Sequence, residues 1–205
     1  MKKIKISEMT GKLKDVPAIN TNTLGNPFCQ KMHENRHPNS ICRQCYSFRM
    51  MRSYRANCTP AWEHNSKVLL HSVLTDDELP IFDAPIVRFH GHGELLNMTH
   101  YYNFCRIAKK NPATNFALWT KRRDLIRRAH NSVNPDAIRP ENLILVYSNP
   151  YTDRVIIRPP RHFDKVFNNT TELTEDDNCT GRNCFTCRQC YSKDSGVDVI
   201  VEQVK

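Results

Sequence analysis

The sequence lacks any long apolar segment. No run approaches the roughly 20 consecutive apolar residues of a membrane-spanning helix, and the basic first residues are not followed by the apolar stretch of a signal peptide. Low-complexity segments and fold-level repeats are also absent. These absences favour a soluble protein of the cytoplasm.

Length and charge set further limits. The 205 residues suffice for one sizeable core and not for two comfortable domains, so we expect a single domain over residues 1–205. Within it, residues 1–150 are predicted to form strand–helix units and residues 151–205 a cysteine-rich extension. The formal net charge of +9 leaves a polyanionic partner open.

The nine cysteines carry the clearest pattern in the chain. The pentapeptide Cys-Arg-Gln-Cys-Tyr occurs at residues 42–46 and again at 187–191, and each copy lies close to further cysteines. A Cys-x2-Cys step lets two thiolates of one tight turn converge on the same ion or cluster edge. Seven cysteines are therefore predicted metal ligands: Cys29, Cys42, Cys45, Cys179, Cys184, Cys187 and Cys190.

The odd number of cysteines, their spacing and the lack of an export signal favour reduced thiolates over disulfides. Cys184, Cys187 and Cys190 follow the spacing of bacterial ferredoxins, which favours iron–sulfur clusters over zinc. Cys58 and Cys105 have no partner at such a spacing, so each is predicted to be a buried, unreactive thiol.

Strand-like and helix-like periodicities alternate along the chain, as is typical of parallel sheets built from βαβ units. Strands are predicted at residues 16–24, 84–90, 115–119 and 142–147, and helices at residues 48–55, 61–73, 99–110 and 122–130. Residues 29–45 are predicted to be a loop. Short strands without helices are predicted at residues 155–157, 165–168 and 197–204. Since a closed eight-fold barrel usually needs about 250 residues, we expect an α/β fold: a partial (βα) barrel or an open, mostly parallel sheet with an irregular C-terminal metal-binding layer.

Ligands of parallel α/β folds gather at the carboxyl ends of the strands. The first three cysteines follow the first predicted strand, Gly91-His92-Gly93-Glu94 follows the second, and Lys121 and Arg122 follow the third. Three thiolates can hold three irons of a four-iron cluster and leave the fourth iron open to a ligand.

These segments resemble the radical S-adenosylmethionine superfamily, in which a three-cysteine loop binds such a cluster and a Gly-Gly-Glu-like segment contacts the methionyl amine of the cofactor. The resemblance implies one or two 4Fe-4S clusters, and S-adenosylmethionine bound through Gly91, Gly93 and Glu94. Two features depart from the superfamily pattern: the first cysteine gap has twelve residues instead of three, and His92 replaces a glycine.

A narrower resemblance covers most of the chain. Asn-Pro-Phe-Cys29, the Cys42-x2-Cys45-Tyr46 knuckle, the segment that ends in Glu94 and the terminal cysteine run are similar to a bacteriophage protein family named after gene product eighty-eight. This likeness implies a phage-encoded protein that acts in the host cell cytoplasm.

Zinc is the alternative metal. Cys29, Cys42 and Cys45 would bind it with His33 or His37, or the two pentapeptides would form one zinc ribbon from Cys42, Cys45, Cys187 and Cys190. A third possibility is a two-histidine, one-carboxylate site of His90, His92 and Glu94. Because Gly91 and Gly93 should break the strand there, the sequence favours histidines that line a polar pocket.

A basic cluster on one short predicted helix could contact nucleic acid, or could be an ordinary solvated helix face. Its residues are Lys121, Arg122, Arg123, Arg127 and Arg128. The sequence thus predicts an iron–sulfur protein with radical-enzyme chemistry. The alternative is a non-enzymatic module, stabilised by zinc or a cluster, that binds nucleic acid or a host protein. No segment identifies a substrate.

Overall fold

A computed structural model describes residues 3–179 and 183–204, in which six strands form one open sheet. They are β1 (Ala18–Ile19), β2 (Ile86–Phe89), β3 (Asn115–Thr120), β4 (Leu143–Thr152), β5 (Lys165–Thr170) and β6 (Val199–Gln203). All neighbouring strands pair in parallel, and their order in the sheet is their order in the chain. The predicted α/β fold with an open parallel sheet is therefore confirmed. Residues 180–182, within the predicted step from Cys179 to Cys184, lie outside the described residues.

The α-helices of the described residues are α1 (Pro27–His33), α2 (Tyr46–Met51), α3 (Thr59–His71), α4 (Met98–Lys110), α5 (Arg123–His130) and α6 (Cys184–Cys187). The first three connect β1 to β2, α4 connects β2 to β3, and α5 connects β3 to β4. The chain between β4 and β5, residues 153–164, contains no helix.

Both faces of the sheet are buried, because successive strand side chains point to opposite sides. On β3, Phe116 and Leu118 belong to a core that includes residues of α3, α4 and α5. Ala117 and Trp119 belong to a second core on the other face, together with Tyr191. The C-terminal cysteine segment therefore covers the face opposite the helices.

Two strand predictions need correction. Of the predicted strand at residues 16–24, only Ala18–Ile19 pairs in the sheet, because beyond it the chain bonds to the segment after β2: the Thr21 amide donates to the His92 carbonyl at 3.1 Å. Residues 155–157 are not a strand. The amide of Ile156 donates to the side chain of Asn168 at 2.9 Å, where a strand would bond to a neighbouring backbone.

The predicted loop at residues 29–45 is partly helical. It contains most of α1 and a 3-10 turn at Ile41–Gln44, and it crosses to the end of β4, where the Thr152 amide donates to the Asn39 carbonyl at 2.8 Å. The signal for α1 was present, since Asn26 and Pro27 are preferred residues for the N-cap and first position of a helix.

Candidate metal centres

The first three cysteines lie at the carboxyl-terminal edge of the sheet. Cys29 is in the first turn of α1, Cys42 is in the turn Ile41–Gln44, and Cys45 directly precedes α2. The Cys45 amide donates to the Cys42 carbonyl at 3.2 Å, which closes the tight turn expected of a Cys-x2-Cys step.

Asn26 joins this set to the segment after β2. Its Oδ1 caps α1 and accepts from the Cys29 amide at 3.3 Å, while its Nδ2 donates to the carbonyl oxygen of Glu94 at 2.9 Å. Asn26 is almost completely buried. One amide side chain therefore fixes the position of Cys29 relative to Glu94.

Glu94 is a buried carboxylate that the chain itself holds with three hydrogen bonds. Its Oε1 accepts from the Leu95 amide at 2.8 Å and the Thr120 hydroxyl at 2.5 Å, and its Oε2 accepts from the Lys121 amide at 2.8 Å. Burial raises the pKa of Glu94, and the Lys121 charge and these bonds oppose that rise. Because a carboxylate offers about four acceptor positions, these three bonds leave one acceptor position on Oε2 unused.

Lys121 is the cation of the first cysteine set. Its Nζ donates to the Ser148 hydroxyl at 2.8 Å. Burial lowers the pKa of Lys121, but the negative charges of Cys42, Glu94 and Cys45 outweigh burial, so the pKa is raised. Burial is also the main reason that the pKa values of Cys29 and Cys42 are raised, and Lys121 opposes both increases.

The second cysteine set packs on the sheet face opposite the helices. Cys184 and Cys187 bound α6, Arg188 then adopts a left-handed conformation (φ 55°), and Cys190 follows in the next turn. The Cys179 amide donates to the Val201 carbonyl at 2.9 Å, which ties the start of this run to β6.

The charges of the other three thiols of this set affect the pKa of Cys190. Burial raises the pKa of Cys190 to about 12, and the charges of Cys179, Cys184 and Cys187 act in the same direction. The thiols of this set are thus near enough to repel one another as anions.

The positive charge of Arg88 on β2 opposes the rise in the pKa values of two of these thiols. Its guanidinium stacks on the ring of Trp119, 3.1 Å from the ring centre. Burial raises the pKa values of Cys184 and Cys190, and the Arg88 charge lowers both.

The tyrosines of the two pentapeptides also lie around Arg88. Burial raises the pKa values of Tyr46 and Tyr191, and for each the Arg88 charge is the strongest opposing effect. The Tyr46 hydroxyl donates to the Gly91 carbonyl just beyond β2, while the Tyr191 ring lies 5.7 Å from that of Trp119. The tyrosines of both copies of the pentapeptide therefore lie near the same guanidinium, that of Arg88.

Within residues 3–179 and 183–204, no three histidine, cysteine, aspartate or glutamate side chains are placed so that they could hold a metal ion. The structure groups Cys42 and Cys45 with Cys29 electrostatically, and Cys187 and Cys190 with Cys184. The zinc ribbon considered above would join cysteines of these two sets, and it stays a prediction.

Each candidate histidine ligand uses its Nδ1 atom in a hydrogen bond to the backbone, and metal binding by either stays a prediction. The Nδ1 of His33 lies 2.9 Å from the Cys42 carbonyl oxygen, and its ring stacks on Phe48. His37 accepts from the Asn39 amide through Nδ1 at 3.2 Å.

His90 and His92 do not form a site with Glu94. His90 is in a left-handed conformation (φ 63°) and its ring contacts those of His100 and Phe104. His92 stacks on Trp62 with ring centres 4.3 Å apart, and burial is the main cause that lowers its pKa to about 4. The histidines are packed among aromatic rings as neutral groups.

Gly91 and Gly93 are required by packing within the chain. A Cβ on Gly93, where φ is +99°, would lie 2.0 Å from the Thr21 hydroxyl oxygen, and one on Gly91 would lie 2.9 Å from Oδ1 of Asn20. Both glycines thus let the segment after β2 approach the end of β1. Contact of either glycine with S-adenosylmethionine stays a prediction.

The predicted basic cluster divides into two parts. Lys121 faces the first cysteine set, and Arg122 binds Asp124 through two hydrogen bonds of 2.8 and 2.7 Å. Arg123, Arg127 and Arg128 are exposed on α5. Nucleic-acid contact stays a prediction, and only these three arginines are placed for it among the cluster residues.

The two cysteines without spacing partners differ from each other. Cys105 is buried as predicted, and burial raises its pKa to about 12. Cys58 is only partly buried.

No protein-family model matches this sequence, and no curated protein or solved structure matches it. The resemblances to the phage family and to the radical S-adenosylmethionine superfamily therefore stay predictions. Among the residues that the structure describes, no helix combines the length and apolar character needed to cross a membrane.

Proposed function

We propose that this chain is an iron–sulfur protein with two cluster sites. Cys29, Cys42 and Cys45 would hold a cluster with one open iron, as in radical S-adenosylmethionine enzymes. The terminal set of Cys179, Cys184, Cys187 and Cys190 would hold an auxiliary cluster that relays electrons or anchors substrate.

The observation that carries this proposal is the gathering of three thiols, Glu94 and Lys121 at one edge of a parallel sheet. They come from the segments after β1, β2 and β3, and loops at such an edge form the ligand sites of parallel α/β folds. The set therefore has the location and charge pattern of a reactive site.

The spacing of the second cysteine set favours a cluster over zinc. Cys184, Cys187 and Cys190 follow the two-residue steps of bacterial ferredoxins, and four cysteines within twelve residues suit a cluster better than two separated knuckles.

Several side chains would serve the first site. Lys121 would balance thiolate charge, and Ser148 would orient Lys121. The remaining acceptor position of Glu94 would take one hydrogen bond from the ammonium of an amino-acid-like ligand. When bound, a four-iron cluster supplies a single electron at low potential.

Anaerobic purification followed by iron, acid-labile sulfide and zinc analysis tests the metal assignment. We expect iron and sulfide in similar amounts, loss of one cluster's iron in Cys42→Ser and loss of the other's in Cys187→Ser. Cys58→Ser is the matched control and should keep both. Stoichiometric zinc without sulfide would overturn the iron–sulfur proposal.

Electron paramagnetic resonance tests the open iron. Adding S-adenosylmethionine to the reduced protein should change the spectrum of the first cluster, and Glu94→Gln should weaken the response more than Glu141→Gln, a change at an exposed residue. An unchanged spectrum without deoxyadenosine would leave an iron–sulfur protein without radical chemistry.

A further inference from the structure

A cleft of about 470 Å³ lies on the helix-covered side of the sheet, and none of its lining residues belongs to either cysteine set. Its floor is apolar, formed by core residues that include Ile126, Ala129 and Leu145. Residues 153–164, which join β4 to β5 without a helix, contribute His162 to its wall. The cleft thus lies beside a crossover that lacks a covering helix.

The mouth of this cleft carries two imidazoles and a guanidinium. The rings of His130 and His162 lie 3.9 Å apart between centres, and Arg139 is next to them. His162 has a left-handed backbone conformation (φ 74°). This conformation is costly for a residue with a side chain and is often retained at functional sites. Burial, His130, Arg161 and Arg139 all lower the pKa of His162, so the surroundings of this imidazole oppose its protonation and an anion there would favour its charged form.

The nearby carboxylate forms an ion pair with Arg139. Asp164 accepts from Nη1 of Arg139 at 2.6 Å and from the Leu145 amide at 2.8 Å. These bonds hold Arg139 in place at the mouth. Among the described residues, no ion pair joins either imidazole to a carboxylate.

We propose that this cleft binds a small organic anion. The carboxylate or phosphate of the ligand accepts hydrogen bonds from His130, His162 and Arg139, and its apolar body lies on the floor formed by Ile126, Ala129 and Leu145. The volume is within the range of about 300–1,000 Å³ that is usual for small-molecule sites. The site uses no cysteine, so it stands or falls independently of the iron–sulfur proposal.

Four probes separate the charge requirement from the apolar requirement. Phenyl phosphate and benzoate should cause saturable shifts of the His130 and His162 ring resonances in NMR spectra of the full-length protein. Inorganic phosphate and benzyl alcohol, each of which lacks one of the two features, should bind at least about tenfold more weakly.

Two variants locate the binding. His162→Asn keeps a residue type that tolerates the left-handed conformation and should weaken phenyl phosphate binding about tenfold, the effect of losing one charge-assisted hydrogen bond. Ile138 lines the rim and is 73% exposed, so Ile138→Ser should leave the fold intact and weaken phenyl phosphate but not inorganic phosphate. Arg128→Gln, on an exposed part of α5 outside the cleft, is the control.

Three results would overturn the proposal. The first is that neither organic anion produces a saturable shift. The second is that inorganic phosphate binds as tightly as phenyl phosphate, and the third is that Arg128→Gln weakens binding as much as His162→Asn. The last result would reduce the effect to general attraction by a basic surface.

Discussion

Lys121 carries a positive charge into the first cysteine set, where burial raises the pKa values of the Cys29 and Cys42 thiols. Lys121→Gln removes that charge, so we expect the pKa of the Cys42 thiol to rise further. The measurement is the pH dependence of alkylation at Cys42 in the metal-free protein, followed by peptide mass spectrometry. Lys109→Gln, an exposed position on α4, should leave the profile unchanged, and equal shifts in both variants would contradict the assignment.

His92 and His100 make the stability of the fold depend on pH. Burial is the main cause that lowers their pKa values, to about 4 and about 3, whereas a histidine in the unfolded chain titrates near 6.5. Below about pH 6.5 the unfolded chain therefore binds protons that the folded chain does not, and the free energy of unfolding falls as pH falls, by up to about 1.4 kcal/mol per pH unit for each histidine.

Urea unfolding between about pH 7 and pH 5 measures this slope. His100→Phe should reduce the slope, because it removes one proton-binding group of the unfolded chain, whatever its effect on absolute stability. His71→Gln, at the exposed end of α3, is the control variant for the change in slope. A slope in His100→Phe as steep as that of the unmodified protein would argue against a buried neutral imidazole.

Helix α1 depends on a cap that also connects two segments of the first site. Asn26→Ala removes the cap, worth about 1 kcal/mol, and leaves the Glu94 carbonyl without its donor at a further cost of about 1–3 kcal/mol. Asn183→Ala is a matched control, since Asn183 caps α6 through bonds to the Phe185 and Thr186 amides. Urea unfolding should show the larger loss for Asn26→Ala; equal losses would mean that the bond to Glu94 contributes nothing.

The strands were predictable where an apolar run was bounded by turn residues, as in β2, β3 and β4. The prediction failed at residues 155–157, because an apolar run shows no sign that Ile156 will bond to the Asn168 side chain. The rule that ligand sites of parallel α/β folds lie at the carboxyl ends of the strands correctly predicted that Glu94 and Lys121 lie at one edge of the sheet. It could not show that Arg88, a lone cation in an apolar strand, lies near both pentapeptides, since that depends on how the C-terminal segment folds back across the sheet.

The C-terminal segment closes the sheet face that the helices leave uncovered. Tyr191 packs in that core with Trp119, and the amide of Cys179 bonds to β6. Metal held by the second cysteine set would therefore link α6 to the edge of the sheet, and binding to folded thiolates adds directly to folding free energy. Loading of the second cluster would therefore change the stability of the entire fold through this link.

Melting temperatures of loaded and chelated protein measure this contribution. Chelation should lower the melting temperature of the unmodified chain by about 2–4 °C for each kcal/mol of binding energy lost. Cys187 is exposed, so serine there removes a ligand with little change in packing. Cys187→Ser should melt below the loaded unmodified protein and show a smaller further change on chelation, whereas Cys58→Ser should behave like the unmodified chain. If chelation left the melting temperature unchanged, the cysteine run would close the sheet by packing alone.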